Sequence, residues 1–397
     1  MFQRLITISA IVAFFLLPYS ATYAQSNVVG YGLLDVGYLG SNSTQRISAK
    51  SITKTNTNVF SDGNEANNRL GVKGQEDLGS GLMTFFLIET GYSINSSSQT
   101  FDNRSSFLGM RSVGFGKFAL GRQYTPLYDS VYATDAGQLN NFAGDVIQGS
   151  NLMGNYAGNS TQQAFTFRQS NALTVSTDVI DGFSMSGMFV LNNSNQTQTY
   201  VSSSNQNGGI NNNDGWGVNA AYSFERLYLS MAYQVFNTTI TNGGQTAYSG
   251  PTFYGSKLSD KQSYLAATYD FDDFKLFLQW AQRKIMQNYQ NSYTKLSPGG
   301  QELGRFAQQI GFRGFWTPVI ESWASIGSGQ YKGALTTTSL SPSINFMGWQ
   351  LGVNYYLSRT TNLYAVFGQE LSSSQTINAI GSGNSGSSYG AGLKIIF

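Results

Sequence analysis

The sequence predicts an all-β protein, a transmembrane antiparallel β-barrel of about 16 strands with long external loops and short periplasmic turns. Three observations lead to this fold class. Segments of about ten residues alternate apolar side chains with small or polar ones, which is the period of a strand with two different faces. Long polar connections alternate with very short ones. Charged residues make up only 11% of the 397 residues, which is low for a protein whose whole surface meets water.

The alternation is clearest in residues 216–224 and 227–235, where aromatic and aliphatic side chains occupy every second position. Only Glu225 and Arg226 separate the two segments, which is the length of a hairpin turn. A barrel of this size encloses water, so we expect the small and polar face to line a lumen and the apolar face to meet lipid. The predicted strands are 27–40, 68–77, 81–92, 104–114, 116–126, 165–178, 183–191, 215–224, 227–239, 262–271, 274–287, 305–315, 322–332, 345–357, 361–371 and 388–397.

The connections between these strands are of two lengths. The short ones include residues 77–80, 181–182 and 272–273. A soluble secreted β-sandwich or β-helix is the alternative fold, but it needs a charged exterior that this composition does not supply. The long connections are rich in Gly, Asn and Ser and are predicted as loops over residues 41–67, 192–213, 240–260, 288–304 and 372–387.

The first 24 residues have the pattern of a secretory signal peptide. Arg4 precedes an apolar stretch at residues 5–17, and Ala24 offers a small residue for cleavage. A membrane-anchoring helix is the alternative, but 13 apolar residues are too few to span a bilayer comfortably. The predicted organisation is therefore a signal peptide at 1–24 and a barrel at 25–397, exported to the bacterial outer membrane.

The composition excludes several classes of function. The chain has no Cys and no His, which removes disulfides, thiolate chemistry, imidazole bases and the usual zinc sites. A net charge of +2 gives no indication of nucleic-acid binding. The acidic residues form no calcium-binding loop pattern. We therefore predict no catalytic residues, no metal and no cofactor.

Two segments depart from the alternation. Residues 82–92 are apolar on both faces, which predicts a strand covered outside by another subunit and inside by an inserted loop. Residues 127–164 form the longest gap between predicted strands, yet they carry apolar residues such as Leu139 and Ile147. A long loop with its own apolar side chains is expected to fold into the lumen and pack on the wall. A flexible external loop is the alternative.

Several motifs resemble the general porins of Gram-negative outer membranes, particularly the betaproteobacterial and neisserial type. They are the stretch from Asn68 to Leu82, residues 115–126 ending in Leu-Gly-Arg-Gln-Tyr-Thr-Pro, residues 357–364 and the terminal Phe397. The resemblance implies a homotrimer in contact with outer-membrane lipid and lipopolysaccharide. It also implies that the long loop at 127–164 forms the constriction of a water-filled channel for ions and small hydrophilic solutes.

The resemblance further implies a cluster of basic wall residues that faces acidic residues on the inserted loop. Residues 141–145 resemble a loop motif of enterobacterial porins, with Asn in the place of its Glu. A His common near the end of the family's chains is absent here, and Lys394 stands in that region. The matching basic wall positions are Arg69, Arg122, Arg168 and Lys73, and the matching loop positions are Asp135, Asp145 and Asn141.

Strand alternation tests two of these positions independently. Arg69 shares a face with Gly71 and Lys73, away from Leu70 and Val72, so alternation directs it toward water. Arg122 shares a face with apolar residues, so a bulge or the strand's end must redirect it into the lumen. The alternative for each arginine is a solvated or salt-bridged wall residue with no influence on transport.

The predicted function is an outer-membrane channel for passive diffusion with a mild preference for anions. A solute-specific channel is the nearest alternative, and a barrel adhesin or receptor that uses its external loops is another. An outer-membrane barrel enzyme is disfavoured because the chain lacks the usual general base.

Overall fold

The computed structural model describes residues 26–48, 51–97, 101–148, 167–202, 205–242, 255–290, 301–335, 343–373 and 382–397. The predicted signal peptide at 1–24 lies outside the described residues, so it stays a prediction. No helix in these ranges has the length and apolar character needed to cross a membrane.

The described residues form a closed antiparallel barrel. Neighbouring strands pair along the chain, except that β1 pairs with both β2 and β3, and β1 also pairs with the last strand, so the described wall closes on itself. The strands are β1 (Ser26–Ser48), β2 (Ser51–Asp62), β3 (Arg69–Gly79), β4 (Leu82–Gly91), β5 (Asp102–Ser112), β6 (Gly116–Tyr124), β7 (Arg168–Thr177), β8 (Phe183–Ser202), β9 (Asn205–Phe224), β10 (Leu227–Asn242), β11 (Gly255–Asp270), β12 (Phe274–Gln290), β13 (Gln301–Thr317), β14 (Ile320–Leu335), β15 (Ser343–Tyr356), β16 (Thr361–Ser372) and β17 (Ser382–Ile396).

The wall has sixteen strand positions, as predicted, because β2 and β3 share one of them. Residues 36–48 of β1 pair with β2, and residues 26–33 of β1 pair with β3. Residues 63–68, here called the wall break, separate the two half-strands. The prediction of a loop over residues 41–67 is therefore wrong, since most of that stretch extends β1 and forms β2.

Strand also replaces the predicted loop over residues 192–213 almost entirely, and the described ends of the other predicted polar loops belong mainly to strands. β8 extends to Ser202, β9 begins at Asn205, and β12 extends to Gln290. The paired strands therefore continue well beyond the apolar belt of the wall. The alternation in the sequence ends where these segments become mainly polar. The backbone nevertheless stays paired in the described parts of these segments. Their polar composition therefore led to a wrong prediction of loops there.

The short turns lie together on the opposite rim, as predicted. Glu225 joins β9 to β10 with φ of 49°, and Asp272 joins β11 to β12 with φ of 74°. Positive φ at the start of a tight turn matches the twist of the paired strands, which explains how two residues suffice. Barrels of this kind place their short turns on the periplasmic side.

The outer surface carries the apolar belt that the alternation predicted. Trp216, Val218 and Tyr222 on β9 are each more than 40% exposed, and Leu229 and Met231 continue the belt on β10. The lumen-facing residues between them are small or polar, such as the buried Ser230 and Gln234. The lipid belt and the wet interior therefore follow directly from a period of two.

The segment between β6 and β7 folds into the lumen, as predicted. Its described part, residues 125–148, is here called the insert, and it contains a helix α1 (Pro126–Thr134). Thr125 Oγ1 accepts a hydrogen bond from the backbone N–H of Tyr128, and Pro126 occupies the first helical turn, so the sequence marks this helix start. Residues 149–166 lie outside the described ranges, so the predicted extent of 127–164 stays a prediction.

The apolar side of the insert provides a core inside the barrel. Leu127 and Val131 of α1 and Ile147 beyond it are fully buried against inward-facing side chains of β10 to β15. The wall contributes small residues such as Ala281 and Ala307 at this contact, which allows the insert to approach closely. The insert thus covers one side of the lumen and leaves the side of β1 and β3–β7 open.

Candidate pore constriction

A cavity of about 420 Å³ separates the insert from the open side of the wall. We call it the constriction cavity. The insert contributes Tyr128, Tyr132 and Leu139 together with two glutamines. The basic residues that line it are Arg69, Arg104, Arg122, Arg168 and Lys394. The structure therefore brings three of the four basic wall positions from the sequence together, although they belong to β3, β6 and β7.

Arg122 reaches this cavity because β6 is irregular at that point. The pairing of β6 with β7 shifts register between Gly121 and Gln123, and Gly121 has φ of 138°. The bulge that alternation required is thus present. Arg122 Nε donates to the backbone oxygen of Asn103 at 2.7 Å, and Nη1 donates to Ser170 Oγ at 2.8 Å. These two hydrogen bonds hold the redirected guanidinium against the wall.

Arg104 was not identified from the sequence, yet it is the most firmly held of the cluster. Its Nε donates to Glu89 Oε1 at 2.8 Å, and its Nη2 donates to the hydroxyl of Tyr124 at 2.8 Å. Arg69 lies on the other side of the same carboxylate, with Nε 3.6 Å from Glu89 Oε2. One buried Glu therefore positions two arginines. The sequence offered a signal for Arg104, because this residue begins the predicted strand 104–114, and the next predicted strand, 116–126, carries Arg122.

A row of stacked tyrosines joins the wall to the insert. The rings of Tyr124 and Tyr128 stack with centroids 3.7 Å apart, and Tyr132 follows one helical turn later at 6.0 Å from Tyr128. The guanidinium carbon of Arg168 lies 5.2 Å from the centroid of Tyr124, within the range of a cation–π contact. Arg168 Nη1 is buried and has no hydrogen-bond partner among the described residues.

The lining of the constriction cavity is strongly asymmetric in charge. It has five cationic side chains and one carboxylate, Glu65. Glu65 already pairs with Lys394 at 2.7 Å, and Glu89, behind the wall surface, pairs with Arg104. Arg168 Nη2 lies 4.0 Å from Asp102 Oδ2, outside the lining, and the cluster still keeps a net positive charge. The sequence identified Lys394 only as a departure from the family pattern. It did not predict that this residue lines the constriction cavity.

Lys73 does not line the constriction cavity. It lies on β3 four residues from Arg69 toward the short-turn rim, and it lines a separate cavity of about 490 Å³. We call this second space the turn-side cavity.

Asp135 and Asp145 do not line the constriction cavity, and they do not face its arginines. Asp135 Oδ1 accepts from Gln309 Nε2 of β13 at 3.2 Å, and Oδ2 accepts from the backbone N–H of Leu139 at 2.8 Å. Asp145 Oδ1 accepts from the N–H of Ile147 at 2.8 Å. Both carboxylates are buried on the covered side of the lumen, where they hold the turns of the insert. The expected alignment opposite the arginines is therefore not seen, because the turns direct these side chains to the wall behind the insert.

Burial also changes the protonation of these two acids. It raises the pKa of Asp135 to about 8, with the neighbouring charge of Asp145 as a further cause. Burial raises the pKa of Asp145 as well, although hydrogen bonds from Ile147 and Gln148 act in the opposite direction. The pair thus favours holding a proton rather than presenting two negative charges to a permeating ion.

Asn141 connects the insert to the wall break. Its Nδ2 donates to the backbone oxygen of Gly63 at 2.6 Å and to Asn67 Oδ1 at 3.0 Å. Its backbone N–H donates to the oxygen of Asn64 at 3.0 Å. Asn67 itself lines the constriction cavity. The residue that replaces the family's Glu is therefore a structural link at the edge of the cavity.

The inner face of β4 is not covered by the described part of the insert, contrary to the expectation for residues 82–92. Helix α1 contacts β8–β12, on the other side of the lumen. Met83, Phe85 and Leu87 instead line the turn-side cavity. Among the described residues, no group of three or more side chains is arranged to hold a metal ion.

Comparison with known proteins agrees with this architecture. A family model described as "Gram-negative porin" matches residues 8–375. The chain belongs to the Gram-negative porin family. As a porin with a closed β-barrel, it is an outer-membrane protein.

This porin is similar in sequence to neisserial proteins over part of its length. It is 30% identical over 132 residues to the major outer membrane protein P.IB of Neisseria gonorrhoeae, which is 33% of this chain and 36% of that protein. It is 34% identical over 108 residues to P.IB of Neisseria meningitidis serogroup B, or 27% of this chain and 31% of that protein. The matched segments thus span about a third of the length of these relatives.

Solved structures match the porin over nearly its whole length at low sequence identity. An anion-selective porin from Comamonas acidovorans has a TM-score of 0.62 at 17% identity and covers 94% of this chain and 100% of its own. Outer-membrane-expressed OmpT of Vibrio cholerae has a TM-score of 0.59 at 14% identity, with coverage of 96% and 99%. These similarities show the fold.

Proposed function

We propose that this porin forms a water-filled pore for the passive diffusion of ions and small hydrophilic solutes across the outer membrane, with a preference for anions. The observation that carries the proposal is the constriction cavity, where five cationic side chains stand against one paired carboxylate. Rings of charged side chains set ion selectivity in pores. The low-dielectric wall around the cavity strengthens the field of these charges.

The mechanism requires no chemical step. The insert narrows the lumen, so that a solute must pass between the arginines of the wall and the tyrosines of α1. An anion that loses part of its hydration there gains hydrogen bonds from the guanidinium groups that line the constriction cavity. A cation loses the same water and meets like charge. Selectivity therefore follows from the difference between these two free energies.

The charge arrangement also explains why the preference should be moderate. Arg104 and Arg69 share Glu89, which cancels part of their positive charge. Asp135 and Asp145 do not weaken the preference further, because they stay on the far side of the insert and their raised pKa values favour the uncharged carboxyl. The related fold of the anion-selective Comamonas porin supports the proposal at the level of architecture alone. Membership of the porin family points to a channel without catalytic activity.

The proposed assembly is a homotrimer that contacts outer-membrane lipid and lipopolysaccharide. The outer face of β4 supports it, with Phe86 and Ile88 beside the small Thr84 on a strand that is apolar on both sides. A fold of the same type occurs in a trimer form of Vibrio cholerae OmpT, at 13% identity and a TM-score of 0.55. The proposal includes export directed by a cleaved signal peptide at residues 1–24.

A planar bilayer recording with a salt gradient tests the function directly. With a tenfold KCl gradient, the reversal potential of the purified porin should have the sign of chloride preference, and it should fall as both solutions are made more concentrated. A reversal potential with the sign of potassium preference would contradict the assignment of selectivity to the arginine cluster. A protein that inserts without conducting would contradict the pore itself.

A further inference from the structure

The turn-side cavity has an unusual lining for a space inside a wet barrel. Its floor is apolar, made by Met83, Phe85 and Leu87 of β4 and Phe107 of β5. The rings of Phe85 and Phe107 lie edge to face, with centroids 6.2 Å apart and planes at 77°. These side chains belong to the lumen-facing positions of their strands, because Phe107 pairs directly with Leu87 in the β4–β5 register.

Cationic side chains surround this apolar floor. Lys73 stands opposite Leu87 in the β3–β4 register, and Arg111 stands opposite Met83 in the β4–β5 register. Lys117 in turn stands opposite Arg111 on β6. All three line the cavity, and no carboxylate is among its described lining residues. One nitrogen of Arg111 pairs with Asp178 at 3.0 Å, whereas Lys73 and Lys117 form no ion pair with any described residue.

Polar groups complete the rim without neutralising it. Asn27, Gln75, Gln123 and Thr174 line the cavity. Gln123 is already satisfied, since its Nε2 donates to the backbone oxygen of Ala119 and its Oε1 accepts from Thr174 Oγ1 at 2.7 Å. The volume of about 490 Å³ is within the range of sites for small organic molecules.

The position of the cavity places it next on the path of an anion that has passed the arginine cluster. Lys73 is four residues from Arg69 on the same face of β3, which is about 13 Å along a strand. Lys117 is similarly displaced from Arg122 on β6, in the direction of the short turns. Because short turns lie on the periplasmic side, the turn-side cavity lies on the periplasmic side of the constriction.

We propose that the turn-side cavity binds small aromatic carboxylates, with the carboxylate among Lys73, Lys117 and Arg111 and the ring against Phe85 and Phe107. An inorganic anion would gain nothing from the apolar floor, and a neutral aromatic would gain only weak cation–π contacts from the three cations. An aryl carboxylate uses both features, since its ring leaves water while its charge keeps cationic partners. The inference names a solute class for the pore and rests on the proposed function, because the lumen is the route to the site.

The test compares three probes on single channels of the purified porin in KCl, of which one lacks the ring and one lacks the carboxylate. These are 3-phenylpropionate, propionate and 2-phenylethylamine, which separate the contributions of the ring and of the negative charge. We expect 3-phenylpropionate to interrupt the chloride current at a concentration at least about tenfold lower than propionate, since it combines both contacts. The amine should not interrupt it in the same range.

Two double variants locate the effect. Phe85→Ala with Phe107→Ala removes the floor, and Lys73→Gln with Lys117→Gln removes the unpaired cations. Each should still form a KCl-conducting channel and lose about tenfold in the potency of 3-phenylpropionate. The matched controls are Leu108→Ala, which changes the outward-facing neighbour of Phe107, and Lys257→Gln, which removes an exposed cation near the start of β11. Both controls should keep the parental potency.

The outcomes separate this inference from the proposed function. Equal potency of 3-phenylpropionate and propionate, with a normal chloride current, would overturn the aromatic site and leave the pore intact. Block that survives both double variants but is lost in Arg122→Glu would place binding at the constriction and would also overturn it. If the porin did not conduct, equilibrium dialysis of labelled 3-phenylpropionate against the detergent-solubilised protein would still decide. Binding by the parent that falls in the Phe85 and Phe107 variant supports the site, and equal binding by both contradicts it.

Discussion

Asn140 of the insert and Gln350 of β15 exchange two hydrogen bonds across 210 positions of sequence. Asn140 Nδ2 donates to Gln350 Oε1 at 3.0 Å, and Gln350 Nε2 donates back to Asn140 Oδ1 at 3.3 Å. Gln350 Nε2 also donates to the backbone oxygens of Phe142 at 2.8 Å and Ala143 at 3.0 Å. A single buried wall side chain thus satisfies three groups of the insert.

Replacing Gln350 by Leu should loosen the insert. The change replaces the amide by an apolar side chain of similar size. Asn140 keeps its hydrogen bonds with Gly137 and Phe142. The backbone oxygens of Phe142 and Ala143, however, lose the Gln350 donor, at about 1–3 kcal/mol for each buried group left unsatisfied. We expect single channels with larger and noisier conductance in bilayers. Gln330→Leu on β14 is the control, since its hydrogen bond to Asn345 is exposed. Steady parental conductance in Gln350→Leu would show that other contacts hold the insert.

Reversing the charge of Arg122 should change ion selectivity. Arg122→Glu replaces a cation by a carboxylate in the constriction cavity, where the low-dielectric wall focuses the field. Reversal potentials in a KCl gradient should move toward cation preference, while conductance in concentrated salt should change little because mobile ions screen the site. Lys257→Glu carries the same charge change at an exposed position near the start of β11 and should shift the potential far less. Parental potentials in both variants would contradict the charged constriction.

The buried acid pair predicts a pH dependence of insert docking. The pKa of Asp135 is raised from 3.8 to about 8 in the folded protein, so the docked state binds its proton more tightly than the undocked state. The contribution to docking is therefore complete below about pH 4 and is lost as the pH rises toward 8 and beyond. Asp145 shifts in the same direction, with Arg313 near Asp135 and Arg305 near Asp145 opposing both shifts.

Conductance fluctuations should accordingly increase between pH 6 and pH 9 in the parent. Asp135→Asn removes the charge and should make the fluctuations less dependent on pH in this window. Asp77→Asn on the exposed short turn is the control and should retain the parental dependence. Fluctuations that increase toward low pH instead would reverse the sign and refute the role of this pair.

The outer face of β4 provides a test of the proposed trimer. Thr84→Arg places a cation on a surface that meets either a neighbouring subunit or lipid, where a charge at mid-depth costs about 2–4 kcal/mol. Native gels in mild detergent should show monomer replacing trimer. Ala267→Arg introduces the same group on the outer face of β11, away from β4, and should leave the trimer intact. If Ala267→Arg dissociated the assembly equally, or if the parent ran as a monomer, the subunit contact at β4 would be wrong.

The sequence predicted those parts of the fold that the lipid constrains. The apolar belt on β9 and β10 and the short turns at Glu225 and Asp272 follow from period-two alternation and turn length alone. β2 was missed because its polar residues meet water on both faces, and alternation carries no information there. The wall break at residues 63–68, which divides the second strand position into β2 and β3, was missed for the same reason.

The candidate site could be predicted only in part. Alternation identified the conflict at Arg122 and required a bulge, although it did not locate the shift between Gly121 and Gln123. The direction of Asp135 and Asp145 depends on turns within the insert and on the contact with Gln309 of β13, which lies more than 150 residues further along the chain. The residue type predicted the charge of these side chains, but it did not predict which side of the barrel wall they contact.

The wall break carries a consequence for the order in which the molecule assembles. Glu65, within that break, is held by Lys394 of β17 at 2.7 Å and by Asn362 of β16 at 3.3 Å, and Asn141 docks on the adjoining backbone. Ser388, also on β17, accepts the backbone N–H of Ala143 at 2.6 Å. The surface that receives the insert is therefore complete only after the end of the chain has paired with its beginning. Contacts over such long sequence separations form late in folding. An incompletely closed barrel would accordingly leak through a wide lumen, and the narrow passage would be the last feature to mature.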